Sequence, residues 1–114
     1  MARVLTPRPI AWETIPAEQV YPGVARQVID GDRQTLVRYV YQPGAVFPVH
    51  SHPEEQITIV LTGRIRFTVA GHPLTLGAGE AALIQPNLPH GATVLGNDTV
   101  VTLNALSPRR HTHP

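Results

Sequence analysis

HSHPEEQITIVL, residues 50–61, is the stretch on which the reading of this chain turns. Two histidines stand one residue apart. A proline, two carboxylates and an amide follow, and then an uninterrupted run of β-branched and apolar residues. In an extended strand alternate side chains share a face. His50 and His52 therefore point the same way, and the parity continues through Glu54, Gln56, Thr58 and Val60. Pro53 is the one point at which the register can slip.

The same parity supplies candidate metal ligands. Gln56 opens the uninterrupted strand and is preferred to Glu54 and Glu55 as the partner of the two histidines. His90 starts a later strand, directly after the loop Pro86-Asn87-Leu88-Pro89. Three imidazoles and one amide oxygen make an open first-row transition-metal site. Imidazole suits zinc, iron, nickel and copper, and an oxygen ligand extends the choice to manganese. A catalytic site of this kind keeps a position free for water or substrate. The other three of the six histidines do not join it. His72 sits beside a turn and is expected in solvent. His111 and His113 form a second H-x-H in the terminal tail, with no strand behind them, and are read as a solvated end.

Outward from this stretch, 12 prolines and 9 glycines punctuate short segments along the chain. That spacing predicts an all-β sandwich or barrel. Strands are expected over 24–29, 35–42, 56–61, 64–69, 72–76, 80–84, 90–95 and 99–106, with 80–84 apolar and buried. No stretch of ten residues carries a helical period. Residues 1–22 are a proline-rich arm with one strand around 11–15, residues 23–106 a single barrel, and residues 107–114 a loose tail. In the strand over 35–42, Leu36, Arg38, Val40 and Gln42 share one face and Val37, Tyr39 and Tyr41 the other. Parity leaves open which face is inside. Arg38 facing inward would be an anion-binding candidate.

Composition excludes several classes. The 114 residues suit one domain with one modest core. The net charge is +1 and the nine basic residues are all arginines spread along the chain, so no nucleic-acid-binding patch is expected. Without cysteine there are no disulfides and no thiolate metal ligands. No apolar run approaches the roughly 20 residues of a membrane helix, and the N-terminus lacks the apolar core of a signal peptide. The expected location is the cytoplasm.

Two stretches carry a family resemblance. Gly44 to Gln56, closed by Gly63, resembles the first motif of the cupins, G-x5-H-x-H-x3-E-x6-G. Gly79 to His90 resembles the second, roughly G-x5/6-P-x-G-x2-H-x3-N. The resemblance spans about residues 24–106 and implies a double-stranded β-helix, or jelly-roll barrel, with one divalent transition metal in its mouth. Gln56 stands where the first motif has an acid, Leu88 where the second often has glycine, and Val94 in place of its final asparagine. A neutral shell of three histidines and glutamine leaves a metal more electrophilic than one with glutamate, which suits Lewis-acid work.

HSHPEEQ also resembles the H-S-H-P-x-E-Q of the small cupins of bacterial uronate catabolism. Those hold their metal with three histidines and a glutamine and convert cyclic unsaturated uronates to linear ketones. Their C-terminal pattern, about D-V-F-S-P-x-R, is matched by Asn104 to Arg110. The resemblance implies that Arg110 clamps a substrate carboxylate. It also places Asn104 where the relatives have aspartate and Leu106 where they have an aromatic. An asparagine cannot shuttle a proton. The expected function is metal-dependent chemistry on a small anionic carboxylate or enol substrate, with His50, His52, Gln56 and His90 on the metal and Arg110, Asn104 and Arg38 around it. Two alternatives stand beside it: an oxygenase acting on an enol, and a module that holds a ligand without turnover. Small cupins commonly pair, and a homodimer exchanging N-terminal arms is expected, although such an arm can also lie on its own barrel.

Overall fold

A computed structural model of the chain describes residues 6–110. His111 and His113 lie outside them. Among the described residues a single 3-10 turn, Trp12–Thr14, precedes ten strands. These are β1 (Glu18–Tyr21), β2 (Val24–Asp30), β3 (Thr35–Tyr41), β4 (Val46–His50) and β5 (Glu55–Thr62), then β6 (Arg64–Val69), β7 (His72–Gly77), β8 (Ala81–Ile84), β9 (His90–Leu95) and β10 (Val100–Ser107). Every pairing is antiparallel. One sheet runs β1-β2-β3-β10-β5-β8 and the other β4-β9-β6-β7. From β3 onward the chain crosses repeatedly between the sheets, the jelly-roll arrangement that the motifs imply. Among the described residues no helix is long and apolar enough to cross a membrane.

The expected strands appear within a residue or two of their bounds, and four local expectations are corrected. The strand placed at 11–15 is instead the turn Trp12–Thr14, because Thr14 ties both its amide and its hydroxyl to the Ala11 carbonyl. The arm's strand falls later, at β1, which pairs with β2. β4 was not anticipated, because Pro48 argues against a strand. It is tolerated because β4 is the edge of its sheet, and the register slips between Phe47 and His50. β8 is buried on one side only, with Leu83 60% exposed. Residues 108–110 are tied down rather than loose, since the Arg110 amide donates to Thr35 Oγ1 at 3.0 Å.

The barrel interior changes character along its length. At one end Val24, Val60, Ile65, Leu76, Ile84 and Val100 pack into the core. Toward the other end the same strands turn polar on the same face. Gln56 and Thr58 precede Val60 on β5, Thr102 and Asn104 follow Val100 on β10, and all four are buried. Two glycines hold the frame close. A Cβ at Gly63 would come within 2.7 Å of Val100 Cγ2, and one at Gly91 within 2.9 Å of the Phe47 carbonyl oxygen. Gly91 thus lets β9 approach β4 where His90 pairs with His50.

Candidate metal centre

At the polar end of the barrel His50, His52 and His90 converge, one from the end of β4, one from the 51–54 loop and one from the start of β9. One ring nitrogen from each lies within 4.8 Å of the others. Ring centroids are 4.3 Å apart for His50 and His90, 4.8 Å for His52 and His90, and 5.4 Å for His50 and His52.

Each ring is oriented by the backbone. Nδ1 of His50 faces the Pro48 carbonyl at 3.2 Å, that of His52 the Glu54 carbonyl at 3.0 Å, and that of His90 the Leu88 carbonyl at 2.9 Å. A carbonyl only accepts, so each Nδ1 carries the proton and each Nε2 presents a lone pair to the cluster. His90 Nε2 is buried with no hydrogen-bond partner. Burial, and then the neighbouring His90, push the His50 imidazole down to about 4, and burial lowers His90 as well. Both rings are therefore neutral at physiological pH, the form in which imidazole binds a metal.

Gln56 is oriented by a longer chain of hydrogen bonds. Asn104 Nδ2 donates to the Val37 carbonyl at 3.1 Å and to Thr102 Oγ1 at 2.9 Å. Its Oδ1 therefore turns back and accepts from Thr58 Oγ1 at 2.7 Å. The Thr58 hydroxyl, having donated, accepts from Gln56 Nε2 at 2.8 Å. That leaves Gln56 Oε1 facing His52 Nε2 at 3.0 Å. The Val37 carbonyl cannot donate, so the polarity of the whole chain is set from it. Two acceptors face each other at its end, an arrangement that a cation between them makes favourable. Three neutral nitrogen lone pairs, one of them orphaned, and one amide oxygen suit a divalent first-row metal.

The surroundings place the remaining candidates. Arg110 lines the pocket, its Nε 3.2 Å from Glu54 Oε1. The parity of 50–60 holds across Pro53, so Glu54 is also inward and buried, but it engages Arg110 rather than the histidines' Nε2 atoms. Asn104 lies in the wall with its side chain bonded to protein groups. Arg38 is a correction. It is on the outer face, donating to Gln27 Oε1 at 2.9 Å, while Val37, Tyr39 and Tyr41 line the pocket. Gln27 in turn donates to the Trp12 and Ile15 carbonyls, which lays this part of the arm on its own barrel. The interior arginine is one that sequence reasoning missed, Arg26 on β2, only 7% exposed. The alternation Val24, Arg26, Val28 was its signal.

Comparison with known proteins agrees with this geometry. Residues 37–106 match the Cupin_2 family, described as a cupin domain. The chain belongs to the cupin family. Among curated proteins this cupin is 33% identical over 101 residues to the H2HPP isomerase of Bacillus subtilis, covering 87% of this chain and 39% of that protein. It is 40% identical over 59 residues to the dimethylsulfoniopropionate lyase DddQ of Ruegeria pomeroyi, covering 49% of this chain and 29% of that one. The cupin thus spans well under half the length of these relatives. Among solved structures it superposes on KdgF from Halomonas sp. with a TM-score of 0.83 at 27% identity, covering 93% of this chain and 97% of that one.

Proposed function

We propose that this cupin is a metal-dependent enzyme that rearranges a small organic anion bearing a carboxylate next to a ketone or enol, by tautomerisation or ring opening. The observation that carries the reading is the convergence of three Nε2 lone pairs and Gln56 Oε1, each held by a hydrogen bond elsewhere on its own side chain. The proposed ligands are His50, His52, Gln56 and His90. A divalent metal held there supplies Lewis-acid polarisation of a ligand oxygen. An isomerase and a lyase among the relatives support this class of chemistry.

The chain's own residues do the rest. Arg110, held at Nε by Glu54, presents its terminal nitrogens to a carboxylate. Phe47, Tyr41 and Leu106 wall the pocket with apolar surface and thin out water. Burial raises the Tyr39 hydroxyl above its usual value, so it stays protonated and can donate a hydrogen bond to an oxyanion. We place this function in the barrel, 23–106, with Arg110 contributed from the tail that follows it.

The test is solvent deuterium exchange at C3 of 2-oxoglutarate, followed by NMR in an anaerobic preparation. Acceleration by zinc-, nickel-, manganese- or iron-loaded protein, lost in His50→Ala, is expected. No acceleration with any of the four would refute the reading. A second reading, ligand holding without turnover, draws on Asn104, whose amide is committed to the wall and cannot move a proton. We also propose a homodimer. Ile57, Ile59, Leu61 and Leu83 are 41–60% exposed, and Ile57 lies opposite Leu83 on the edge strand β8. An apolar patch of this kind marks an association surface. Light scattering that finds a monomer at micromolar concentration would contradict it.

A further inference from the structure

Arg110 is held at two points. Its guanidinium Nε lies 3.2 Å from Glu54 Oε1, and its backbone amide donates to Thr35 Oγ1 at 3.0 Å. The Glu54 carbonyl also orients His52, so the first hold ties the arginine to the proposed metal ligands. The second ties it to the barrel frame. β10 ends at Ser107, so at Arg110 the chain has left the sheet. A long side chain on such a segment sweeps a wide arc unless its backbone is fixed.

Thr35 is placed to supply that fixed point. It opens β3, pairs with Leu106 near the end of β10 and is 1% exposed. Its partner across the β2–β3 hairpin is Asp30. The hairpin is closed by the Gly31 amide, which donates to the Gln34 carbonyl at 2.8 Å. The Thr35 hydroxyl donates its one hydrogen to Asp30 Oδ1 at 2.8 Å, which leaves its lone pairs for the Arg110 amide. Arg109 Nε lies 3.8 Å from the same carboxylate oxygen, so both residues are drawn to one hairpin end. Thr35 itself does not line the histidine pocket. The arginine it holds does, and the charge of Arg110 bears on His50, His90 and Tyr39.

We propose that Thr35 is a positioning residue for the anion site: its hydroxyl, aimed by Asp30, holds the Arg110 backbone and so sets where the guanidinium meets a carboxylate. This rests on the proposed role of Arg110 and adds the residue that places it.

The probe is butyrate, a plain carboxylate, and binding is measured by NMR titration of zinc-loaded protein. Thr35→Val keeps the shape and removes the hydroxyl. It should weaken butyrate about tenfold, the contribution of one such hydrogen bond. Zinc affinity should be unchanged, because the hydroxyl bonds Asp30 and Arg110 and not a proposed ligand. Thr35→Ser, which restores the hydroxyl, should bring butyrate binding back. A merely structural threonine would lower the urea midpoint in Thr35→Val and leave butyrate affinity as it was, and that result overturns the proposal. So does a loss of zinc affinity that matches the loss of butyrate. A second measurement, on wild type, needs no variant to fold. Coupling between two events is reciprocal, so saturating butyrate should slow hydrogen exchange at the Arg110 amide by a similar factor. Exchange that is the same with and without butyrate overturns the proposal. Arg110→Gln separates the two readings. If it binds butyrate as tightly as wild type, the anion role of Arg110 falls and that of Thr35 with it. If it binds weakly while Thr35→Val binds like wild type, only the Thr35 proposal falls. Zinc-loaded wild type that binds no butyrate overturns both.

Discussion

Thr58→Val is the substitution that isolates the orientation of Gln56. Thr58 is fully buried, and valine matches it in shape without the hydroxyl. The change removes two hydrogen bonds, the 2.8 Å bond accepted from Gln56 Nε2 and the 2.7 Å bond donated to Asn104 Oδ1. Each buried group left without its partner costs about 1–3 kcal/mol. The two orphans are, however, already 3.4 Å apart and can close on each other. The expected loss is therefore near the low end, about 2 kcal/mol, read from urea denaturation of metal-free protein. The relay that turns Gln56 Oε1 toward His52 is then reduced to that one longer contact. Removing a partner that orients a metal ligand typically costs about 10–100-fold in affinity, and a zinc competition titration should show a loss in that range. Thr58→Ser, which restores the hydroxyl, should recover most of the zinc affinity. Stability within about 0.5 kcal/mol of wild type, together with unchanged zinc affinity, would refute the reasoning.

Three further outcomes follow from the same geometry. Asn104→Asp puts a carboxylate oxygen against the Val37 carbonyl; the buried acid titrates upward, so the destabilisation, about 2–4 kcal/mol, should deepen as pH rises from 5 to 8 in urea melts. Glu54→Gln removes the counter-charge of the largely buried Arg110 and should cost about 2 kcal/mol while metal stoichiometry stays the same, checked by urea melts and elemental analysis. In metal-free protein the imidazole of His50 titrates near 4 when folded and near 6.5 when unfolded, and His90 is shifted the same way. The unfolded chain thus binds more protons in that window, so stability is full above about pH 6.5 and should fall as pH drops toward 4. A urea midpoint unchanged between pH 7 and pH 5 would contradict those shifts.

The histidine parity was legible because a strand repeats every two residues, and 50–60 keeps that repeat even through Pro53. Gln56 could be favoured for the same reason. What hid β4 was Pro48, whose missing N–H argues against a strand everywhere but at an edge, and edges are a property of the assembled sheet. The orientation of β3 was ambiguous because both its faces carry apolar residues, Leu36 and Val40 outside against Val37, Tyr39 and Tyr41 inside. Hydrophobicity alone could not choose, so Arg38 stood as a candidate until its bond to Gln27 placed it outside. Arg26 was missed because a buried arginine needs a partner, and Glu18 lies on a strand expected several residues earlier. The Asn104 relay joins residues up to 67 positions apart and leaves no local trace.

The central claim is that His50, His52, Gln56 and His90 hold one metal ion. Elemental analysis of untagged protein tests it most directly, on wild type, His50→Ala and His90→Ala side by side. The prediction is about one equivalent of a divalent first-row metal in wild type and a loss of most of it in both variants, with each variant still folded. Wild-type protein that is metal-free and takes up no added zinc, nickel, manganese or iron would contradict it. So would variants that keep the full equivalent.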